Sequence, residues 1–203
     1  MTRTSHCISG IILAAGLGSR FDPSGQSNKL TSTLEDGRPV ILAAYENLER
    51  HVQQVVIVTG KHHDALITNI HDAQIPLTTS YVYCSNASLG MGASLKAGIT
   101  ASQDADAWLI ALGDMPYIAH RTVAAVCQRL REGAHIARPY YGDKPGHPVG
   151  FSAKMRDGLL ATPDESGAAA FIRNYRHLLV TVQTDDPGCV FDVDRPSDLH
   201  NVP

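Results

Sequence analysis

Apolar residues in this chain gather into short, unbroken runs separated by polar stretches. Residues 8–13, 55–59, 79–84, 107–112, 135–138 and 179–183 read as β-strands, and 190–193 as one more. Most of these runs are continuous rather than alternating, the pattern of strands covered on both faces. Between several of them the period changes to three and four. Pro39 opens a predicted helix that carries Ile41, Ala44, Tyr45 and Leu48 on one face. Val123, Val126, Cys127 and Leu130 form a second stripe, ended by Gly133, and residues 92–101 form a third, shorter one. Strand and helix in alternation predict an α/β fold, a mainly parallel sheet with helices on both faces. Ligands of such sheets sit at the carboxyl ends of the strands.

Composition narrows the function classes. The 203 residues carry 17 basic and 20 acidic side chains, a net charge of −3. Nothing in that balance calls for a nucleic-acid groove or a membrane-binding face. No apolar run approaches the ~20 residues of a membrane span. Arg3 followed by residues 8–15 imitates a secretory signal, but Ser9 and Gly10 interrupt it and its unbroken apolar part is too short. It reads as the first strand of the mature protein. One domain over residues 1–203 is the expectation at this length. Cys7, Cys84, Cys127 and Cys189 are scattered without a Cys-x-x-Cys pair, which suits free thiols in a reducing cytoplasm.

The first strand ends in Leu13-Ala14-Ala15-Gly16-Leu17-Gly18-Ser19-Arg20, and Asn28-Lys29-Leu30 follows. Glycines after a buried strand let backbone amides approach an oligophosphate, with Arg20 and Lys29 adding charge. A Walker loop is excluded because no Gly-Lys-Ser/Thr end follows. A dinucleotide fingerprint is excluded because Phe21 stands where its third glycine belongs. A plain tight turn is the alternative. A second strand delivers Asp114 through Leu112-Gly113-Asp114-Met115-Pro116. A carboxylate rigidly held at a strand end suits a divalent cation; an Asx turn before proline is the alternative. In Phe191-Asp192-Val193-Asp194, alternation puts Asp192 and Asp194 on one side. One carboxylate from each of two strand ends would give Mg²⁺ its protein ligands, against a solvated acidic loop as the plainer reading. Gly90-Met91-Gly92-Ala93-Ser94 enters a helix, where glycines would let a flat base lie on backbone and Ser94 would bond its edge. His147 is fixed between Pro145 and Pro148 and would donate to an anion, or be structural. His62, His63 and His71 resemble a metal cluster only superficially. No Gly-x-Ser-x-Gly elbow exists, and covalent catalysis is disfavoured.

Taken together, these motifs resemble the nucleotidyltransferases that act on the molybdenum cofactor, with the nearest likeness to the cytidylyltransferases among them. The resemblance runs through Leu13-Ala14-Ala15-Gly16, Gly90-Met91-Gly92-Ala93-Ser94-Leu95, Gly113-Asp114-Met115-Pro116, Pro145-Gly146-His147-Pro148 and Phe191-Asp192-Val193-Asp194. It implies a Rossmann-like three-layer fold and Mg²⁺-dependent transfer of CMP from CTP to a phosphorylated pterin, with release of pyrophosphate. A molybdoenzyme of the xanthine dehydrogenase type would be the partner. It assigns Asp114 and Asp194 to the metal and the Leu13, Ala14, Ala15, Gly16, Gly18, Arg20 loop with Lys29 to the triphosphate. Gly90 and Ser94 go to base or ribose, and His147 to the pterin segment. Ala15 leans towards cytidine, because related guanylyltransferases tend to carry Leu-Ala-Gly-Gly. One departure stands out: eight residues, 21–28, separate Arg20 from Lys29, as in sugar-1-phosphate nucleotidyltransferases. A GTP donor, a sugar-1-phosphate acceptor and an idle cofactor carrier stay open as alternatives.

Overall fold

The computed structural model describes residues 7–24, 27–72 and 79–203. Arg3, together with Gly25 and Gln26 of the 21–28 insertion, lies outside the described residues, as does the side chain of His71. The elements run β1 (Ile8–Ala14), α1 (Val40–Glu49), β2 (Gln54–Thr59), α2 (His63–Asp72), β3 (Thr79–Tyr83), α3 (Met91–Ala101) and β4 (Ala107–Leu112). They continue as α4 (His120–Arg131), β5 (Ile136–Tyr141), β6 (Lys144–Pro145), β7 (Val149–Ser152), α5 (Arg156–Leu160), α6 (Ala168–Asn174) and β8 (Leu179–Thr184). One sheet collects these strands in the order β3-β2-β1-β4-β7-β5-β6, with β8 beside β5. Pairing is parallel from β3 to β4 and between β5 and β8; β7 runs antiparallel to β4 and β5. The result is an α/β fold with a mostly parallel sheet.

Alternation through the buried strands builds two cores. Ile8, Ile12, Val55, Ile57, Leu109 and Ala111 face α1, α2 and α4 through Leu48, Leu66 and Val126. Ile11, Val56, Val58, Trp108 and Ile110 face α3, α5 and α6 through Leu95, Ile99, Leu159 and Phe171. Helix α3 approaches β1 closely at Gly98, where a Cβ would stand 2.5 Å from Ile11 Cγ2. Pro39 precedes the first residue of α1, and Gly133, with φ +97°, stops the chain just past α4.

Two expectations change. Strand β7 was not anticipated: it is four residues long, directly after His147-Pro148, and Gly150 interrupts its apolar pattern. Residues 190–193 are not a strand. Pro187–Val190 form a 3₁₀ turn, because Asp186 caps it by accepting from Gly188 N at 3.0 Å. The chain then runs extended, and Val193 N donates to Asp114 O, just past the end of β4, at 2.8 Å. The parallel register of β1 and β4 pairs Leu13 with Leu112. The loops after these strands therefore leave the sheet side by side, which sets up the site.

Candidate active site

A cavity of about 290 Å³ opens at the carboxyl ends of β1 and β4. Leu13, Ala14, Ala15, Gly16, Gly18, Lys29, Gly90, Met91, Ser94 and Asp114 line it. The glycine loop, the lysine, the entry to α3 and the first aspartate are thus brought together. Gly18 sits at φ +65°, a left-handed conformation in which glycine avoids the Cβ penalty, and its carbonyl accepts from Phe21 N at 2.9 Å. Phe21 and Leu30 are buried and anchor the two ends of the longer loop in the core. Asn28 accepts from Leu30 N at 3.0 Å and starts the short turn that carries Lys29. The Lys29 stem runs past Gly18, with Cγ 3.7 Å from where a Cβ would stand.

Asp114 and the acidic tail segment meet at the cavity's edge. Asp114, Asp192 and Asp194 each offer an oxygen, and these oxygens lie within 4.8 Å of one another. Lys29 Nζ is 2.5 Å from Asp114 Oδ2 and 3.5 Å from Asp194 Oδ1. Arg20 Nη1 pairs with Asp194 Oδ2. Asp198 fixes the backbone below by accepting from Asp194 N at 3.0 Å and Arg195 N at 2.8 Å. Desolvation by neighbouring atoms, then the Asp194 and Asp114 charges, holds the Asp192 carboxyl above the ordinary carboxylate range, although its side chain still reaches solvent. Like charges this close favour a cation among them.

Two features differ from the sequence reading. The glycines at the start of α3 are packed against backbone: a Cβ on Gly92 would stand 2.3 Å from Pro163 O and 2.4 Å from Ser166 O, and one on Gly90 would stand 2.7 Å from Asp164 O. The 163–166 turn covers those faces, and Lys96 pairs with Asp164 across the same contact. A base would reach this region through Ser94 and the cavity side of Gly90 rather than over Gly92. His147 does not line the cavity. Its backbone N–H donates to Cys189 O at 2.8 Å, and its Nδ1 is sealed from solvent without a hydrogen-bond partner among the described residues. Burial, then the Arg138 charge, pushes its pKa down to about 4. The imidazole is neutral at pH 7, so no cationic contact with an anion comes from it.

Asp192 is the residue to which sequence reasoning gave no metal role. The signal was present in its two-residue spacing from Asp194. His63, by contrast, faces inward to Thr59: its Nδ1 is 2.5 Å from Thr59 Oγ1, and its ring meets Tyr83 edge-on.

Comparison with known proteins gives the family and the fold. Residues 10–179 match the MobA-like NTP transferase domain. A nicotine blue oxidoreductase from Paenarthrobacter nicotinovorans is 27% identical over 203 residues, covering 97% of this chain and 96% of that protein. A nucleotidyl transferase from Methanothermobacter superposes with TM-score 0.78 at 22% identity, over 96% of this chain and 94% of the other. Rv0371c of Mycobacterium tuberculosis H37Rv, solved in complex with manganese, superposes with TM-score 0.69 at 22% identity, over 96% and 94% of the two chains. With most of its length matched by that domain, this chain belongs to the MobA-like NTP transferase family.

Proposed function

We propose that this protein transfers CMP from CTP to the terminal phosphate of molybdopterin and releases pyrophosphate. The observation that carries this reading is the convergence of Asp114, Asp194 and Lys29 at the edge of a glycine-lined cavity. Backbone amides of the Ala15–Gly18 loop bind the triphosphate, and Lys29 and Arg20 neutralise the charge that builds on the leaving pyrophosphate. Ser94 and the Gly90 backbone meet the base or ribose. An acceptor phosphate is already largely dianionic at pH 7, its second pKa being about 6, so the reaction needs no general base. Its oxygen bonds to the α-phosphorus while the bond to the β-phosphate oxygen breaks, and the electron pair leaves with pyrophosphate. Catalysis is then alignment and charge neutralisation.

Magnesium fits the donor set, because Asp114, Asp192 and Asp194 supply only carboxylate oxygens, the ligands of a hard cation. Asp114 and Asp194 would hold it, with Asp192 beside them. Bound there, it would supply electrostatic stabilisation of phosphate charge. The family resemblance, through Ala15, leans towards cytidine, and the same resemblance implies molybdopterin as acceptor and a molybdoenzyme of the xanthine dehydrogenase type as the receiving protein. Four free thiols suit the cytoplasm.

The test is pyrophosphate release with each of the four nucleotides, paired with molybdopterin or a sugar-1-phosphate, in Mg²⁺. CTP with molybdopterin should be fastest and should yield the cytidine dinucleotide. A preference for GTP would move the donor, and a preference for a sugar-1-phosphate would move the acceptor. Tight pterin-nucleotide binding without turnover would make the protein a carrier. The relative named as an oxidoreductase supports a second reading, a redox protein on the same fold. Reduction of nicotine blue by an added hydride donor, with no pyrophosphate release from any nucleotide, would favour it.

A further inference from the structure

Lys29 engages two carboxylates at once, although its side chain is only 12% exposed. Arg20 takes the remaining oxygen of Asp194. Both Asp194 oxygens and Asp114 Oδ2 are therefore already paired with cations of the chain itself. A divalent ion drawing on the same oxygens would lie close to the Lys29 ammonium, and like charges at that range repel. A half-buried ammonium leaves its carboxylates only when another anion takes their place. Such a place is at hand, because Lys29 lines the cavity beside the Ala15–Gly18 amides. Arg20, 77% exposed, is free to turn the same way.

Building on the proposed nucleotidyl transfer, we infer that Lys29 and Arg20 are built-in counter-ions that hold the Asp114–Asp194 pair against a free divalent ion until a triphosphate draws them off. The nucleotide therefore conditions the metal site, and metal and nucleotide load together. In the protein alone the carboxylates are neutralised internally. In the loaded protein the same two cations face phosphate.

The test is a titration with Mn²⁺ alone, read from the electron paramagnetic resonance signal of the free ion. It uses wild type, Lys29→Met, Arg20→Gln and Asp114→Asn, without nucleotide. Lys29→Met should bind Mn²⁺ about tenfold or more tightly than wild type. Arg20→Gln should tighten binding less, and Asp114→Asn should abolish it. The Arg20 side chain is exposed, so that variant keeps its fold and decides the matter even if Lys29→Met does not fold. Equal Mn²⁺ affinity in wild type and both charge variants, lost in Asp114→Asn, would overturn the counter-ion role and leave the metal site standing. Absence of Mn²⁺ binding in every protein would overturn both, and pyrophosphate release by wild type with Mg²⁺, CTP and molybdopterin would then report whether nucleotidyl transfer itself survives.

Discussion

Gly16 and Gly92 border the same site for different physical reasons, and alanine separates those reasons. A Cβ on Gly16 meets nothing within 4 Å and points into open space beside the cavity. Gly16→Ala should leave stability within about 0.5 kcal/mol of wild type, as for a substitution without buried contacts. It should weaken nucleotide binding about tenfold or more, because the methyl occupies the approach that a phosphate needs, at a cost of about 1.4 kcal/mol per factor of ten. A Cβ on Gly92 instead meets two backbone carbonyls at 2.3 and 2.4 Å. Backbone cannot rotate aside like a side chain, so Gly92→Ala should cost about 1–3 kcal/mol, the usual range for overpacking. For a chain of this size that is roughly 2–4 °C in Tm for each kcal/mol. Urea unfolding and calorimetric titration with CTP measure the two effects. The reasoning fails if Gly16→Ala binds CTP like wild type, since the loop then does not wrap the anion. It fails equally if Gly92→Ala unfolds at the wild-type urea concentration.

Other expectations follow from single residues. Asp186 is 3% exposed and accepts from Ala119 N at 2.9 Å, Thr122 Oγ1 at 2.7 Å and Gly188 N at 3.0 Å. Asp186→Ala removes a helix cap and strands buried donors, and should lower unfolding stability by about 3–4 kcal/mol in a urea melt. His147 has a folded pKa near 4 against 6.5 for the free side chain. The unfolded state then binds the extra proton, so stability falls as pH drops from about 6.5 towards about 4; His147→Gln should flatten that slope in melts across this window. His51, also lowered by burial and then by His120, should keep part of it. Lys29→Ala should slow turnover roughly 10²–10³-fold at saturating substrates if it stabilises the leaving group; an unchanged rate would move that role elsewhere.

Strands β1, β2 and β4 were legible because burial on both faces leaves an unbroken apolar run. The helix stripes of α1 and α4 were legible because one face packs on the sheet. What escaped depends on long-range contact. Strand β7 is short, and it pairs with β4, far away in sequence, as well as with the nearby β5. The 190–193 run has strand-like composition, but Asp186 and the close approach of Gly188 to Tyr117 O, 2.0 Å from a Cβ placed there, turn residues 187–190 into a 3₁₀ bend, and residues 191–193 run on extended without joining the sheet. At the candidate site, the position of Asp114 just past the carboxyl end of β4 was readable from the apolar run that leads to it. The fit of Gly90 and Gly92 against the 163–166 turn was not, because a glycine's sequence position does not say whether ligand or backbone occupies the missing Cβ. His147 shows the same limit: two prolines fix its direction, and only the fold shows that the direction is inward.

The carboxylates beside the glycine-lined cavity should support transfer of a nucleotidyl group. CTP labelled at the α-phosphate tests it, incubated with molybdopterin and Mg²⁺ and with either wild type or a folded Asp114→Asn variant. The label should move onto the pterin with wild type and stay on CTP with the variant. Equal transfer by both proteins, or none by wild type with any nucleotide and phosphorylated acceptor, would contradict the account.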